Sequence, residues 1–309
     1  MKKFAKVSMI TAGILFVTGA IILIICSFFA GSMRGASTDV VSSELHSTVN
    51  GDILYLWNGN SHHRFNDNYT IHNGHHSDDT AAHASDITKL YINLNYADFT
   101  LAPSQDDYFH ISSEGNGNYQ YYTDGSAFYI DGFYNRHTAS INRFTLEVPD
   151  IDFSEIDINF GAGAATLSTL KSDSLTMAIG AGELTIDGVN CDNLSAEVGA
   201  GTATIKNGLT EDANFDIGMG ELIYKGYVNE DLDAVVGMGN ITLQIWDTQD
   251  KHNYDLECNM GSILLGAKEY GGLAYETEID NDADSDYTLE CGMGNITVTF
   301  ENKENQNNQ

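Results

Sequence analysis

The segment Met177-Ala178-Ile179-Gly180-Ala181-Gly182-Glu183-Leu184-Thr185-Ile186 decides the fold, because its Gly-x-Gly tripeptide recurs through the second half of the chain. The first glycine of the tripeptide returns at intervals of 19 residues, at Gly161, Gly180, Gly199, Gly218 and Gly237. Related tripeptides follow as Asn259-Met260-Gly261 after 22 residues and as Gly292-Met293-Gly294 after 33. Self-similarity at a fixed period is typical of repeat proteins, in which each repeat is one small structural unit.

Apolar and polar residues alternate on both sides of each tripeptide. The position just before the first glycine is apolar in all seven copies: Phe160, Ile179, Val198, Ile217, Val236, Cys258 and Cys291. After the glycines, an apolar position (Ala165, Leu184, Ala203, Leu222, Ile241, Ile263, Ile296) is followed by one that is mostly threonine. A period of two predicts a strand with one buried face. The period shifts at the second glycine, so each copy predicts two short strands with a corner between them.

Two short strands and a corner cannot bury themselves alone, whereas parallel coils stacked about 4.8 Å apart supply each other's hydrogen-bonding partners. The sequence therefore predicts an all-β protein, a parallel β-helix or β-solenoid with coils of about 19 residues, over residues 87–302. An antiparallel sandwich is the alternative, but it would not require each column to keep its character. Glycine is expected at the corners because a sharp corner needs backbone conformations that a Cβ penalises. The predicted corner glycines are Gly161, Gly163, Gly180, Gly182, Gly199, Gly201, Gly218, Gly220, Gly237, Gly239, Gly292 and Gly294.

Two columns of the repeat contain sulfur-bearing residues: the one between the glycines and the one just before the first glycine. The residue between the glycines is alanine in the first three copies and then Met219, Met238, Met260 and Met293. These side chains are predicted to fill a widening corner cavity in the packed interior, and a methionine metal stripe is the alternative. Cys258 and Cys291 are expected on neighbouring coils as small apolar residues, with a strained disulfide between the coils as the alternative.

The N-terminal segment predicts one transmembrane α-helix ahead of the repeats. Residues 7–30 contain no charge and would span roughly 36 Å as a helix, enough for a bilayer core of about 30 Å. Three lysines precede the segment, so residues 1–35 are predicted to be a cytoplasmic stub and membrane anchor, with the rest of the chain outside. A cleaved signal peptide is the alternative, but it would place the bulky Phe28 three residues before the cut.

The charge balance is strongly acidic. The 309-residue chain carries 14 Lys and Arg against 44 Asp and Glu, a net charge of −30. Four of the basic residues and none of the acidic ones lie in the first 35 positions, so residues 36–309 carry a net charge of −34. Such a surface repels nucleic acid and anionic lipid, and neither is an expected partner of this part of the chain.

Residues 36–86 predict a His-rich polar stalk, because they show no sustained period of 2 or 3.6. Imidazole ligates zinc and nickel, so His72, His75, His76 and His83 are the candidate ligands of a divalent metal. A metal site also needs a framework that fixes its ligands, and a solvated, pH-responsive linker is the alternative. Residues 303–309 predict a disordered tail.

The first half of the domain is less regular. Residues 94–101 match residues 160–167 in pattern without the glycines, which predicts a degenerate first coil. Residues 118–122 and 127–131 predict a hairpin, and residues 144–149 a strand that ends at proline. Seven aromatic residues between Tyr119 and Tyr134 are attributed to cross-strand pairing, with a sugar-binding platform as the alternative. Residues 280–286 begin like a calcium loop but lack its glycine and its final glutamate, which predicts a surface loop.

These features together resemble a known family, the bacterial "putative adhesin" β-strand-repeat proteins, which are membrane-anchored proteins of Gram-positive bacteria with a domain of unknown function. The resemblance rests on the lysine-led span, the hairpin, the strand end Val148-Pro149-Asp150, the ladder Ile156-Asp157-Ile158-Asn159-Phe160-Gly161-Ala162-Gly163 and the closing strand Gly292-Met293-Gly294-Asn295-Ile296-Thr297-Val298. It covers about residues 88–302. It implies the repeat fold, and the family has no catalytic motif to carry over; some relatives sit beside envelope-stress systems.

The sequence carries no Gly-x-Ser-x-Gly, Walker or His-Glu-x-x-His motif, so no enzymatic activity, catalytic residue or cofactor is predicted apart from the divalent metal above. The predicted function is a single-pass, extracytoplasmic binding or scaffold module of the cell membrane, an adhesin of unknown ligand. Its expected partners are the membrane, through residues 7–30, and a protein, peptide or glycan at the cell surface. The alternatives are an accessory or sensor protein of a cell-envelope stress response and a carbohydrate-active β-helix enzyme.

Overall fold

The computed structural model describes residues 72–73, 76–114, 118–133 and 143–302. The predicted membrane span at residues 7–30, most of the predicted stalk and the predicted tail at residues 303–309 lie outside the described residues. Within the described ranges, no helix is long and apolar enough to cross a membrane.

The described residues form strands joined by short turns, with two 3-10 helices at Ala84–Asp86 and Gln249–Lys251. The N-terminal strands are β1 (His72–Asn73), β2 (His76–His83), β3 (Lys89–Pro103), β4 (Tyr108–Glu114), β5 (Asn118–Asp124), β6 (Ala127–Phe133) and β7 (Arg143–Val148). The central strands are β8 (Phe153–Leu167), β9 (Leu170–Ile179), β10 (Glu183–Ile186), β11 (Val189–Val198), β12 (Thr202–Ile217), β13 (Glu221–Val228), β14 (Leu232–Val236) and β15 (Asn240–Ile245). The C-terminal strands are β16 (His252–Cys258), β17 (Ser262–Leu265), β18 (Lys268–Gly271), β19 (Tyr275–Ile279), β20 (Ser285–Cys291) and β21 (Asn295–Phe300).

The two strands of each repeat pair in parallel with their counterparts one repeat away. Leu175 of β9 lies opposite Leu194 of β11 on the first-strand side. Leu184 of β10 lies between Ala165 of β8 and Ala203 of β12 on the second-strand side. Each of these partners is 19 residues away in the chain, so the sequence period is the register of the parallel pairs.

Burial follows the predicted alternation. In β10, Leu184 and Ile186 are buried, Thr185 is half-buried and Glu183 is exposed. The inward residues of the coils join one apolar cluster that runs from Ile87 to Val298. The predicted all-β architecture is therefore confirmed, and the apolar positions of the alternating pattern are those that face the core.

The coils do not stack in chain order at either end. The last coil, β20 and β21, lies between the coil of β14 and β15 and the coil of β16 and β17, because β20 pairs with both β14 and β16. In the same way β21 pairs with both β15 and β17. At the N-terminal end, β3 lies between β8 on one side and β6 and β7 on the other. The predicted degenerate first coil is thus confirmed, since Leu94 and Leu101 of β3 lie opposite Phe160 and Leu167 of β8.

Antiparallel strands cover both ends of the stack. At the N-terminal end, β5 pairs with β6 as the predicted hairpin, and β4 pairs with β7. At the C-terminal end, β18 pairs with β17 and β19 pairs with β16. An uncovered parallel edge offers unpaired backbone groups to other chains, and these strands occupy it.

The folded body also begins earlier than the predicted boundary at residue 87. Strand β2, within the segment predicted to be a stalk, pairs antiparallel with β4. This strand was not predicted because its sequence lacks an alternation of apolar and polar residues. The sequence is His-Ser-Asp-Asp-Thr-Ala-Ala-His. The register of the pair shifts twice, which accounts for the missing period of two.

The corner glycines are required by the closeness of neighbouring coils more than by an unusual backbone. Among the tripeptide glycines of the described residues, only Gly163 has a positive φ, of 110°. At the second glycine of five other copies, including Gly201 and Gly239, a Cβ would overlap the carbonyl oxygen of the adjacent coil, and at Gly182 it would overlap the ring of Phe160. The expected reason for glycine, a backbone conformation, therefore holds at Gly163, and the spacing of the coils is the reason elsewhere.

We expect Gly182→Val to destabilise the fold by about 3 kcal/mol, because even a Cβ at this buried position would lie 2.8 Å from Cδ1 of Phe160 and 3.2 Å from the carbonyl oxygen of Gly163. The control, Thr185→Val, changes a half-buried outward side chain of the same coil, and we expect a change within about 0.5 kcal/mol. Urea unfolding of the full-length chain measures both. Equal losses, or a larger loss for Thr185→Val, would show that the inward and outward faces are assigned wrongly.

Candidate binding surface

A groove of about 430 Å³ lies on the outer face of the second strands near the C-terminal end of the stack. Strands β13, β15, β21 and β17 form its floor, and β18 contributes one side chain. Its lining residues are Glu221, Asn240, Ile241, Thr242, Ser262, Leu264, Glu269, Asn295 and Thr297. We call this surface the asparagine groove.

The parallel register builds the groove from two outward columns. Asn240 lies opposite Glu221 on one side and Asn295 on the other, and Asn295 lies opposite Ser262. Two residues further along each strand, on the same face, a second column contains Thr242, Thr297 and Leu264. Neighbouring positions in a column are about 4.8 Å apart, so the groove presents polar groups at the spacing of the coils.

Hydrogen bonds hold the first column in one arrangement. The Ser262 hydroxyl donates to Asn295 Oδ1 at 3.1 Å, and Asn295 Nδ2 donates to Asn240 Oδ1 at 3.1 Å. These contacts join residues 33 and 55 positions apart in the chain. The carboxylates of Glu221 and Glu269 also line the groove, and among the described residues none of its lining side chains is basic.

A column of methionines runs beside the groove, because the middle residue of each tripeptide points outward. Met238, Met293 and Met260 are 39%, 43% and 62% exposed, and Ala181 and Ala200 are exposed as well. The prediction that these positions face the packed interior is wrong. The alternation shifts at the first glycine rather than the second, so that the second glycine is inward and the residue before it is outward.

The structure leaves the predicted four-histidine metal site as a prediction. His75 lies outside the described residues, and His72 lies on β1, opposite Tyr119 of β5. His76 and His83 are the first and last residues of β2, about 20 Å apart along an extended strand, which argues against one ion binding both. The His83 Nδ1 accepts a hydrogen bond from the backbone N–H of Ser85 at 3.1 Å. The described part of the chain contains no group of three or more His, Cys, Asp or Glu side chains that could hold a metal ion.

Cys258 and Cys291 lie opposite each other on β16 and β20, in the buried column where the sequence placed them. Both are free thiols. The Cys291 Sγ donates to the carbonyl oxygen of Gly294 at 2.9 Å, and burial raises the pKa of Cys291 to about 12. Both side chains are buried, so the pair has the character of small core residues, as the sequence predicts.

The loop that begins like a calcium site is held by protein hydrogen bonds. Asn253 Oδ1 accepts from the backbone N–H groups of Asn281 and Ala283, at 2.9 and 3.2 Å. Asn253 Nδ2 donates to the carbonyl oxygen of Ala283 at 2.8 Å. A side chain of β16 thus does the ordering that an ion does in a calcium loop.

The aromatic residues of the hairpin divide between the two faces of the sheet. Tyr119 and Phe128 are buried in the core. On the outer face, Tyr129 stacks between Tyr91 and Tyr122, with ring centroids 4.7 Å apart in both pairs. The three rings stack on one another across three neighbouring strands, which supports the interpretation as cross-strand pairing.

The chain belongs to the Toastrack DUF4097 family, whose model matches residues 87–308. No curated protein matches the chain. Among solved structures, it is similar to a "putative adhesin" from Bacteroides fragilis, with 12% identity, a TM-score of 0.38, and coverage of 74% of this chain and 97% of that one. A "putative adhesin" from Parabacteroides merdae matches with 12% identity and a TM-score of 0.38, over 75% of this chain and 97% of that one. A "putative lipid binding protein" from Parabacteroides distasonis matches with 13% identity and a TM-score of 0.31, over 75% and 97%.

The groove residues were missed by the sequence reasoning, which followed the inward columns. The signal available was the polar column three residues after the first glycine, which contains Glu221, Asn240, Ser262 and Asn295. That column shows which residues face outward. It does not show that Asn295 lies between Asn240 and Ser262, because this depends on the insertion of the last coil.

His252, the first residue of β16, is a buried histidine whose surroundings favour its neutral form. His252 is 2% exposed and stacks on Tyr287, with ring centroids 4.1 Å apart. Its Nδ1 lies 2.8 Å from the Ser285 hydroxyl, which donates its own proton to the carbonyl of Glu230, so Nδ1 carries the hydrogen. Its Nε2 has no hydrogen-bond partner within the described part of the chain. Burial lowers the pKa of His252, against a smaller opposing effect of the Asp247 carboxylate.

We expect the free energy of unfolding to fall as the pH drops below about 6.5, the pKa of histidine in an unfolded chain. The folded-state pKa lies below this value, so the unfolded chain binds the proton first and acid favours unfolding. His252→Asn keeps an N–H donor towards Ser285 and does not titrate. Urea unfolding from about pH 7.5 to about pH 5 should show the variant gaining stability relative to the parent. A stability difference that does not change with pH would contradict the assignment.

Proposed function

We propose that the chain is a binding module held at the outside of the cell membrane by a single N-terminal helix over residues 7–30, and that the asparagine groove is where its ligand binds. The observation that carries this proposal is the hydrogen-bonded column of Ser262, Asn295 and Asn240 on the outside of a regular stack of strands. The backbone ladder fixes the position of each side chain, and a fixed polar surface loses little conformational entropy on binding.

The chemistry of the groove favours an uncharged, hydroxyl-rich ligand such as a glycan strand. Amide and hydroxyl groups both donate and accept hydrogen bonds, as sugar hydroxyls do. The two carboxylates, Glu221 and Glu269, are acceptors that disfavour an anionic polymer. A linear polymer laid along the column would meet a polar side chain at every coil, about every 4.8 Å.

Binding rather than catalysis is supported by the state of these side chains. Asn240, Asn295 and Ser262 are neutral and form a hydrogen-bonded row. A row of this kind supplies no nucleophile with an adjacent base to activate it. Turnover of a polysaccharide by the purified protein would overturn this part of the proposal and favour the alternative of a carbohydrate-active enzyme.

We expect Asn295→Ala to weaken glycan binding about tenfold, because it removes the side chain that joins Ser262 to Asn240. Asn214→Ala is the matched control, since Asn214 is an exposed outward asparagine of β12 that does not line the groove. Binding of the detergent-solubilised chain to an array of neutral and anionic glycans measures both variants. Equal binding by the two variants would exclude the groove as the site.

A second candidate, an accessory of a cell-envelope stress response that binds cationic peptides, is favoured by the net charge of −34 over residues 36–309. Its signature differs, because attraction of a cationic peptide to an acidic surface weakens steeply with salt. Capture of such peptides from envelope extracts, lost at high salt and unaffected by Asn295→Ala, would favour this function over the glycan module.

We expect the full-length protein to sediment with the membrane fraction and its C-terminal domain to be degraded by protease added to intact cells, because residues 7–30 are long and apolar enough to span a bilayer. Replacing two residues within this segment by lysine should release the protein from the membrane. Recovery of the unaltered protein from the medium at a mass lacking its first 30 residues would show a cleaved signal peptide instead.

A further inference from the structure

The methionine column is a second feature of the surface, and it is independent of the groove's proposed ligand. Four methionines occupy the same position on four consecutive coils, in the spatial order Met219, Met238, Met293, Met260. Backbone hydrogen bonds of 2.7–2.8 Å fix this order. The N–H of Met238 donates to the carbonyl oxygen of Gly218, that of Met293 to the carbonyl oxygen of Gly237, and that of Met260 to the carbonyl oxygen of Gly292. Adjacent members of the column are about 4.8 Å apart at the backbone.

The residues on either side of each methionine are mostly glycine. Met219, Met238 and Met293 each have a glycine on both sides, and Met260 has Gly261 after it. Seven of the eight chain neighbours of the four methionines are therefore residues without a side chain, Asn259 being the exception. Three of the four methionine side chains are 39–62% exposed. Methionine has three rotatable side-chain bonds, so sulfurs from adjacent coils can approach a common point.

The electrostatic surroundings favour a cation. Glu290 and Glu257 lie opposite each other on β20 and β16, three residues before Met293 and Met260 in the chain. Both are half-buried, and neutral thioether ligands leave the charge of a bound cation to be balanced by such carboxylates. Thioethers are soft ligands that select Cu(I) over the hard divalent cations, which take oxygen.

We propose that Met219, Met238, Met293 and Met260 form a surface site for a soft monovalent cation, Cu(I), bound by thioethers of neighbouring coils. Met293 is the central ligand, because it is adjacent to both Met238 and Met260. Met293 has this position because the last coil lies between the coil that contains Met238 and the coil that contains Met260.

The test uses the full chain in detergent, with Ag(I) as a redox-stable probe of Cu(I) chemistry and 13C-methyl methionine labelling as the readout. We expect Ag(I) to shift the methyl resonances of the four column methionines and to leave that of Met177, which is 1% exposed in the core, unchanged. Shifts confined to other methionines, or none at all, would overturn the proposal. The labelled methyl group also separates thioether binding from binding at the cysteines or at the histidines of residues 36–86.

Substitution then tests the order of the column. Met293→Leu keeps the size and apolar character of the side chain, and we expect it to lower the Ag(I) and Cu(I) affinity at least tenfold, measured by competition with a chromogenic Cu(I) chelator under anaerobic conditions. Met177→Leu is the matched control and should leave the affinity unchanged. Unchanged affinity and stoichiometry in the variant with all four column methionines replaced by leucine would exclude the site. Because none of these three variants alters Asn240, Asn295 or Ser262, failure of the Cu(I) proposal would leave the proposal of glycan binding by the groove unaffected.

Discussion

The hydrogen bonds between the backbones of neighbouring coils are the constraint on which the structure depends. They continue through the corners, where the N–H groups of Gly199, Ala200 and Thr202 donate to the coil before at 2.8–2.9 Å. Two corners bonded in this way leave no room for a Cβ at the second glycine, which faces the carbonyl oxygen of the adjacent coil. The repeat of glycine every 19 residues, the alternation on either side of it and the outward position of the residue between the glycines all follow from this spacing.

The ends of the stack decide which surfaces the protein offers. A last coil inserted between two earlier ones places Asn295 beside both Asn240 and Ser262 and Met293 beside both Met238 and Met260. The polar groove and the methionine column are therefore products of one topological feature. The same end is covered by the antiparallel strands β18 and β19, and β18 contributes Glu269 to the groove, so the covering of an edge also shapes the candidate site.

Burial separates the charge of the protein from its core. Three inward tyrosines keep their protons because burial raises their pKa. Their hydroxyls donate to backbone carbonyls, that of Tyr224 to Tyr227, that of Tyr254 to Gln249 and that of Tyr287 to Val228. His252 is shifted in the opposite direction, towards its own neutral form. The acidic residues are carried by the outward columns and the loops, which is where the solvent stabilises charge.

The sequence by itself determined the all-β class, the 19-residue register and the inward columns. This was possible because every second residue of a half-buried strand is apolar, and because this alternation is repeated in each coil. The sequence also located the hairpin and the degenerate first coil. It placed the shift of period at the second glycine instead of the first, two residues too late, and so put the methionines inside. It also missed β2, whose pairing has shifts of register. Only the tertiary structure decided which coils are neighbours at the ends. Intervals of 22 and 33 residues leave the local pattern compatible with more than one stacking order, and the choice depends on packing between residues as far apart as Asn240 and Asn295, which no local pattern records.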